Sequence, residues 1–225
     1  MLRILAFACL LLTPMLAASQ TLSDLTQQET SSGLKDALVQ AANSAVQQLG
    51  RPGGFSNDSQ RRISLPGHLG TAARTMKMMG MGAQVTQLEN SMNLAAEAAV
   101  PNAQALLVQA IQNMTLSDAR SILSGPQDSA TRYLDSSSRP ALRTALLPVV
   151  SEATAQVGLA QQYNQFAGQA ARYGAIQSQD ASIESYVTEQ ALNGLFAIMA
   201  EQEAEIRNNP AAAATSLAKK VFGAR

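Results

Sequence analysis

Apolar side chains recur three and four residues apart through nearly the whole chain from residue 20 onward, and almost no stretch alternates with a period of two. A spacing of three and four residues places side chains on one face of an α-helix, whereas strands need the alternating pattern. Alanine is abundant, tryptophan is absent and only 4% of the residues are aromatic, which favours helices over sheets. We therefore expect an all-α fold, a single compact bundle of roughly eight to ten helices.

The clearest stripe predicts a first long helix. It consists of apolar positions three or four residues apart: Leu34, Leu38, Ala41, Ala45 and Leu49. Gly50 follows directly. Because glycine takes up the left-handed conformation at little cost, we expect Gly50 to end the helix in that conformation.

Three further signals concern the second half of the chain. The longest helix is expected over about residues 182–207, from apolar positions four residues apart: Ile183, Val187, Ala191, Leu195 and Met199. Asn209 and Pro210 have the residue types of an N-cap and a first helical position, so they should open a terminal helix. Pro148 lies inside a stripe that begins at Pro140, and it should kink or restart that helix.

Residues 51–62 are rich in glycine, proline, asparagine and serine. Loops of about 12 residues are uncommon in compact domains and are often functional. We therefore expect this segment to be either a functional loop or a subdomain joint near 51–62.

The first residues have the order of a cleavable secretory signal peptide. Arg3 precedes an uncharged apolar run over residues 4–18, which ends in the small residues Ala17, Ala18 and Ser19. A membrane span needs about 20 apolar residues, and this run is shorter and contains Pro14. We expect residues 1–19 to be the signal peptide, 20–225 to be the helical domain, and the mature chain to have no integral membrane segment.

Cysteine and charge exclude several classes of function. Cys9 is the only cysteine and lies in the predicted signal peptide, so the mature chain would lack disulfides and thiolate zinc sites. The 16 basic and 16 acidic side chains are spread without long runs of one sign. Nucleic acid is therefore not an expected partner.

The sequence carries no strong metal or nucleophile motif. His68 is the only histidine, so an ordinary zinc site would need carboxylates, and a Ser-His-Asp triad would need His68 as its base. Met76, Met78, Met79 and Met81 could bind cuprous copper, but the spacing of Met76 and Met79 fits an apolar stripe, so a core role is favoured. We expect no metal and no cofactor.

Glu97 is the most unusual acidic residue, because the surrounding run over 94–100 is otherwise apolar. A carboxylate in such a setting can be partly buried with a raised pKa, which suits acid or base chemistry. The alternative is a side chain that reaches water along an alanine-rich helix or pairs with an arginine, and we favour it. Glu89 and Asn93 lie in line with Glu97, one turn apart.

Other polar groups are candidates for a binding site. Thr115 and Asp118 have the spacing of a capping box. Residues 161–165 bring amide and phenol groups into one and a half turns, where they suit either a polar ligand or bonds between helices. The candidate ligand-binding residues are Asn93, Glu97, Asp118, Gln161, Tyr163 and Asn164. A further set of carboxylates is expected only to solvate a helix surface: Asp180, Glu184, Glu201, Glu203 and Glu205.

A resemblance rests on seven phrases that occur in one order over essentially the whole mature chain. They lie at 62–67, 92–101, 114–125, 157–165, 186–196, 206–210 and 219–223, and the fourth reads Val-Gly-Leu-Ala-Gln-Gln-Tyr-Asn-Gln. In these phrases the chain resembles the bacterial exported family known as domain of unknown function 4197. The resemblance implies a periplasmic helical protein of bacteria and carries over no catalytic residue.

The leading hypothesis is a non-enzymatic periplasmic protein that binds a partner protein or a small ligand through the candidate residues. One alternative is a hydrolase with Glu97 or Asp118 as general base, which needs a second carboxylate or a cation within hydrogen-bonding reach. Another is an envelope-surface module whose last helix contacts lipid through Lys219, Lys220, Val221 and Phe222. Docking of that helix into the bundle is the favoured reading.

Overall fold

A computed structural model describes residues 25–65, 78, 80, 82–155, 160, 161, 163, 164 and 182–224. The α-helices are α1 (Gln27–Leu49), α2 (Gly82–Ala99), α3 (Ala103–Gln112), α4 (Leu116–Ser124), α5 (Ser129–Thr154), α6 (Ile183–Asn208) and α7 (Ser216–Gly223). Single 3-10 turns at Val100–Asn102 and Pro210–Ala212 precede α3 and α7.

The described residues contain helices and no strand, so the all-α class is confirmed. The number of α-helices among them is lower than the expected eight to ten. Two apolar stripes that contribute to the expected number, at 69–79 and 159–173, lie largely or wholly outside the described residues, as does His68. Met78 is described and is 81% exposed.

Helix α1 confirms the expected stripe, whose five positions are all buried. Its start is fixed by a capping box between Thr26 and Glu29, in which each side chain accepts a hydrogen bond from the other residue's backbone N–H. The left-handed conformation expected at Gly50 is wrong, since its φ is −79°. Glycine is needed there for space, because a Cβ would lie 2.8 Å from the Val46 carbonyl oxygen and 3.0 Å from Pro101 Cγ.

Helix α5 runs without a restart through Pro140 and Pro148, so of the two outcomes expected at Pro148 the restart is wrong and the kink stays a prediction. Each proline removes one helical N–H donor. The helix persists because most helical stability in proteins comes from packing of the apolar face. That face is fully buried here, at Leu134, Leu142, Leu146 and Val150.

The start of α5 depends on a distant carboxylate. Asp128 at the N-cap makes no capping bond with its side chain. Glu203 of α6 instead accepts hydrogen bonds from the backbone N–H groups of Ala130 (3.1 Å) and Thr131 (2.9 Å). The expectation that Glu203 only solvates a surface is wrong, since it is 3% exposed and pairs with Arg207 at 2.8 Å.

Helix α6 confirms the expected long helix, with Ser182 as its N-cap. Asn209 and Pro210 open only a 3-10 turn, so the expectation that they start the terminal helix is wrong. Helix α7 begins six residues after Pro210, at Ser216, where Thr215 supplies the capping hydroxyl. Val221 and Phe222 are buried, which favours docking over lipid contact.

One hydrophobic cluster joins buried residues from all seven described helices. Helix α1 packs against α3, α4, α6 and α7, while α5 packs against α2, α3, α4 and α6. None of the helices in the described ranges is long and apolar enough to span a bilayer. The subdomain joint near 51–62 stays a prediction.

Candidate functional site

The loop at 51–62 is fixed from inside the protein by Glu97 of α2. The Glu97 carboxylate accepts hydrogen bonds from the backbone N–H groups of Gly53 (3.1 Å), Phe55 (3.1 Å) and Ser56 (3.0 Å), and from Ser56 Oγ (2.9 Å). Glu97 is only 5% exposed. A buried carboxylate therefore holds the turn at the beginning of the loop.

Both readings of Glu97 are wrong. The favoured one, a side chain that reaches water or pairs with an arginine, fails because the carboxylate is buried and held by the loop. The alternative of a raised pKa fails as well. Burial raises the pKa of this carboxyl, but the hydrogen bonds from Ser56, Gly53 and Phe55 outweigh burial, so the pKa lies below its ordinary value. Hydrogen bonds to the charged form always favour that form. Glu97 is an ionised structural group at neutral pH, which is unsuited to general acid chemistry.

Asn93, one turn before Glu97, fixes the other end of the loop. Its Oδ1 accepts from the Ile63 N–H at 2.9 Å, and its Nδ2 donates to the Ile63 carbonyl at 2.8 Å and to the Glu89 carbonyl at 2.7 Å. Asn93 is fully buried. The two candidate residues of α2 thus act on one loop.

Phe55 anchors the middle of the loop in the core. It is fully buried, and a Cβ on Gly194 of α6 would lie only 2.9 Å from its Cε1 atom. Gly53 has a φ of 85°, a conformation that glycine adopts without strain. The loop is therefore held by apolar packing as well as by Glu97 and Asn93.

A polar pocket of about 330 Å³ lies between this loop, the end of α1 and α6; we call it the end pocket. Its lining residues are Gln48, Leu49, Arg51, Gly53, Gly54, Asn57, Asp58, Ser59 and Ile198.

A groove of about 510 Å³ runs along α1. Two of its polar side chains are already bonded to the segment before α7: Gln40 to residues 212 and 214, and Asp36 to Thr215.

The charges around the end pocket are unevenly compensated. Arg61 pairs with Asp58 and, at 2.5 Å, with Glu201. The guanidinium of Arg61 lowers the pKa of Asp58. Arg51 lies exposed at the pocket and has no ion-pair partner among the described residues. Arg51 is therefore the charged side chain of the pocket lining without an ion-pair partner in the described structure, while Arg61 shares its one positive charge between Asp58 and Glu201.

Asp118 lies elsewhere, in the first turn of α4. Its Oδ2 accepts from the Thr115 N–H and hydroxyl, both at 2.8 Å, and from the Tyr133 hydroxyl at 3.0 Å. The bonds from the Thr115 backbone and hydroxyl, with that from Tyr133, lower the pKa of Asp118. The capping box expected from Thr115 and Asp118 is confirmed.

The remaining candidates lie near the start of α6. Asn164 Nδ2 donates to both carboxylate oxygens of Glu184, at 3.0 and 2.9 Å, and its Oδ1 accepts from the Ile183 N–H at 2.8 Å. Tyr163 is 6% exposed, whereas Gln161 is exposed. These contacts join residue 164 to the first turn of α6.

Asn93 and Glu97 of α2 both bind the same loop. Asp118 is bonded to Thr115 and Tyr133, and Asn164 is bonded to the start of α6, so neither shares that loop. Ligand binding by these six residues stays a prediction. Sequence reasoning identified the loop as a unit but missed Arg51 and Ser59 in the pocket. No group of histidine, cysteine and carboxylate side chains in the described ranges could hold a metal ion.

The comparisons with known proteins identify a family but no activity. A family model described as "Protein of unknown function (DUF4197)" matches residues 24–223. No curated protein and no solved structure matches the chain. The family match covers nearly the whole chain, including every described helix and the loop that forms the end pocket. The chain therefore belongs to the DUF4197 family.

Proposed function

We propose that this protein is an exported, non-enzymatic binding protein that takes a small anionic ligand in the end pocket. The observation that carries the proposal is the fixation of the 51–62 loop by two buried polar side chains. Glu97 and Asn93 direct their hydrogen bonds mainly to the backbone of residues 53–63. Such a loop is a preformed wall, and a ligand that binds it loses little free energy in ordering the protein.

The pocket suits a small molecule in size and polarity. A volume of about 330 Å³ is at the lower end of the range for small-molecule sites. Around its mouth, Gln48, Asn57 and Ser59 are exposed and offer amide and hydroxyl groups. These groups can orient a polar ligand that holds only a few heavy atoms beyond its charged group.

Arg51 determines the sign of the ligand charge. Asp58 is engaged by Arg61, so the guanidinium of Arg51 is the charged group of the pocket lining that is left without an ion-pair partner in the described structure and can meet a ligand. A planar guanidinium binds carboxylate and phosphate oxygens through paired hydrogen bonds. The ligand class that fits is therefore a small carboxylate or phosphate with further polar groups.

The contacts of the two candidate bases favour binding over hydrolysis. The hydrolase alternative requires a second carboxylate or a cation within hydrogen-bonding reach of the general base. The hydrogen bonds that Glu97 and Asp118 accept in the described structure come from backbone N–H and hydroxyl groups. Both carboxyl groups have lowered pKa values, which weakens them as bases.

Export is supported by Arg3, the apolar run over 4–18 and the small residues that end it, and the family match begins after them at residue 24. Periplasmic location is part of the proposal. In a Gram-negative host, the periplasmic fraction should contain a chain that begins at Gln20. A full-length chain retained in the cytoplasm would contradict export.

Binding is tested by thermal unfolding of the chain 20–225 with a panel of monocarboxylates, dicarboxylates, amino acids, sugar phosphates and neutral sugars. We expect one anionic class to raise the Tm. Arg51→Gln should weaken that binding about 10- to 100-fold, since it removes a charge-assisted hydrogen bond. Arg132→Gln, on an exposed arginine of α5, is the matched control and should bind as the wild type does.

A second variant tests the location. Ser59→Trp should fill the end pocket and abolish binding, whereas Ser136→Trp on the exposed side of α5 should not. The proposal is overturned when no member of the panel raises the Tm, or when Arg51→Gln binds the ligand as tightly as the wild type.

A further inference from the structure

The backbone of residues 53–56 forms an oxyanion-binding arrangement around Glu97. One carboxylate oxygen of Glu97 accepts from Gly53 N–H, and the other accepts from Phe55 N–H, Ser56 N–H and Ser56 Oγ. All four donor–acceptor distances lie between 2.9 and 3.1 Å. Successive backbone N–H groups that point to one centre are a recurrent way of binding anions.

The shape of this turn does not depend on Glu97 alone. Gly54 N–H donates to the Arg51 carbonyl at 2.9 Å, and Asn57 N–H donates to the Gly53 carbonyl at 3.1 Å. Phe55 is fully buried beside Gly194, and Asn93 holds Ile63. None of these contacts uses the Glu97 side chain, so the donors should stay directed at the same point when that side chain is shortened.

We infer that residues 53–56 are a carboxylate-binding site in their own right, and that Glu97 is the carboxylate that occupies it in the native protein. A free carboxylate of the right size should then take the place of the Glu97 side chain. Alanine at position 97 removes Cγ, Cδ and both Oε atoms, which together match one acetate ion. Glycine also removes Cβ, and the group removed then matches propionate.

The size match gives a sharp test, independent of the ligand proposed for the end pocket. Glu97→Ala should unfold at a lower temperature than the wild type, and acetate should raise its Tm in a saturable way. The rise should be about 2–4 °C when acetate exceeds its Kd about fivefold. Sodium chloride at equal ionic strength should give a smaller, unsaturable change.

The controls separate this site from other anion effects. Glu97→Gly should prefer propionate to acetate, and butyrate should stabilise neither variant beyond chloride. Glu205→Ala removes an exposed carboxylate and should behave as the wild type, with no specific response to acetate. The double variant Glu97→Ala/Arg51→Gln should still respond, because Arg51 contributes only its backbone carbonyl to this turn and its side chain donates none of the four hydrogen bonds.

Two results would overturn the inference. One is an equal response of Glu97→Ala to acetate and to chloride, and the other is an equal acetate response in Glu97→Ala and Glu205→Ala. If Glu97→Ala is unfolded when purified, refolding from urea in acetate or chloride is measured by circular dichroism. Helix recovery in acetate alone supports the site, and equal recovery in both salts contradicts it.

Discussion

The buried carboxylates of the described helices are held by several donors each. Glu97 accepts hydrogen bonds from backbone N–H groups. Glu203 accepts hydrogen bonds from two N–H groups and pairs with Arg207. Glu189 pairs with Arg139 and Arg143. A buried charge without partners would cost several kcal/mol, so such groups persist in a fold only when they are satisfied. Their positions mark where one segment is fastened to another.

Glu97→Gln should lower the free energy of unfolding by about 2 kcal/mol. The substitution removes the charge, and it replaces one acceptor oxygen with an NH2 group that faces an N–H donor. Urea denaturation followed by circular dichroism measures the loss. Glu205→Gln, on an exposed glutamate of the same protein, should stay within about 0.5 kcal/mol of the wild type. Equal losses in the two variants would contradict the structural role of Glu97.

The sequence marked Glu97 as unusual, but neither the favoured reading, a side chain reaching water or an arginine, nor the alternative of a raised pKa was right. The apolar run around it indicated burial, which by itself raises a carboxyl pKa. The donors that reverse the shift come from residues 41 to 44 positions earlier in the chain. A contact between residues so far apart in sequence cannot be predicted from a local pattern. The contact between Glu203 and the first residues of α5 is of the same kind.

Among the helices, local signals were predictable and long-range ones were not. The capping box of Thr115 and Asp118 involves residues three apart, and its pattern alone predicted it correctly. Helix α5 is capped by Glu203 from more than 70 residues away, so its start could not be foreseen. Its continuity through Pro140 rests on packing against other helices, which is also a long-range effect. A sequence pattern predicts hydrogen bonds between residues that lie within one helical turn of each other.

The buried pair of α6 gives an element-scale prediction. Arg207 donates to Glu203 and to the Ile122 carbonyl of α4, and its guanidinium lies 5.7 Å from the centre of the Phe222 ring in α7. Arg207→Met should cost about 3–5 kcal/mol, because it leaves the Glu203 charge buried without its cation.

A double variant separates the charge from the packing. Glu203→Gln/Arg207→Met removes both charges and keeps an amide acceptor for α5. It should lose less stability in urea denaturation than the sum of the two single losses. Strict additivity of the single losses would show that the pair is not coupled.

Gly33 gives a second prediction at the scale of helices. Glycine to alanine inside a helix ordinarily stabilises by up to about 1 kcal/mol. A Cβ at Gly33, however, would lie 2.6 Å from Val221 Cγ2 and 2.9 Å from the Leu217 carbonyl oxygen of α7. Overpacking typically costs about 1–3 kcal/mol, so Gly33→Ala should be net destabilising.

Thermal unfolding checks this prediction against Ser32→Ala. Ser32 lies on the same helix and makes no side-chain hydrogen bond in the described structure, so alanine there should leave the Tm unchanged or slightly raised. A raised Tm in Gly33→Ala would mean that α7 yields to the added methyl group.

For the molecule as a whole, pH should act through the structural carboxylates. The pKa values of Glu97 and Glu189 lie below the ordinary 4.5. In both, burial raises the pKa, but donated hydrogen bonds outweigh it; those to Glu189 come from Arg143 and Arg139. A group with a depressed pKa contributes stability above its unfolded value and loses it as pH falls through the folded one.

The stability of the wild type should therefore be nearly constant above about pH 5 and fall steadily below about pH 4.5. Urea midpoints across this range measure the fall. Glu97→Gln should lose less than the wild type between neutral and acid pH, because it no longer has this carboxyl to protonate. Glu205→Gln should follow the wild-type curve, and parallel curves for all three proteins would contradict the prediction.

The fixation of the 51–62 loop also affects how fast its hydrogens exchange with solvent. Loop amides ordinarily exchange within seconds, because nothing protects them from water. In this loop the N–H groups of Gly53, Phe55 and Ser56 donate hydrogen bonds to a buried carboxylate. In deuterated buffer these three amides should keep their protons as long as those of α2, and lose them early in Glu97→Gln.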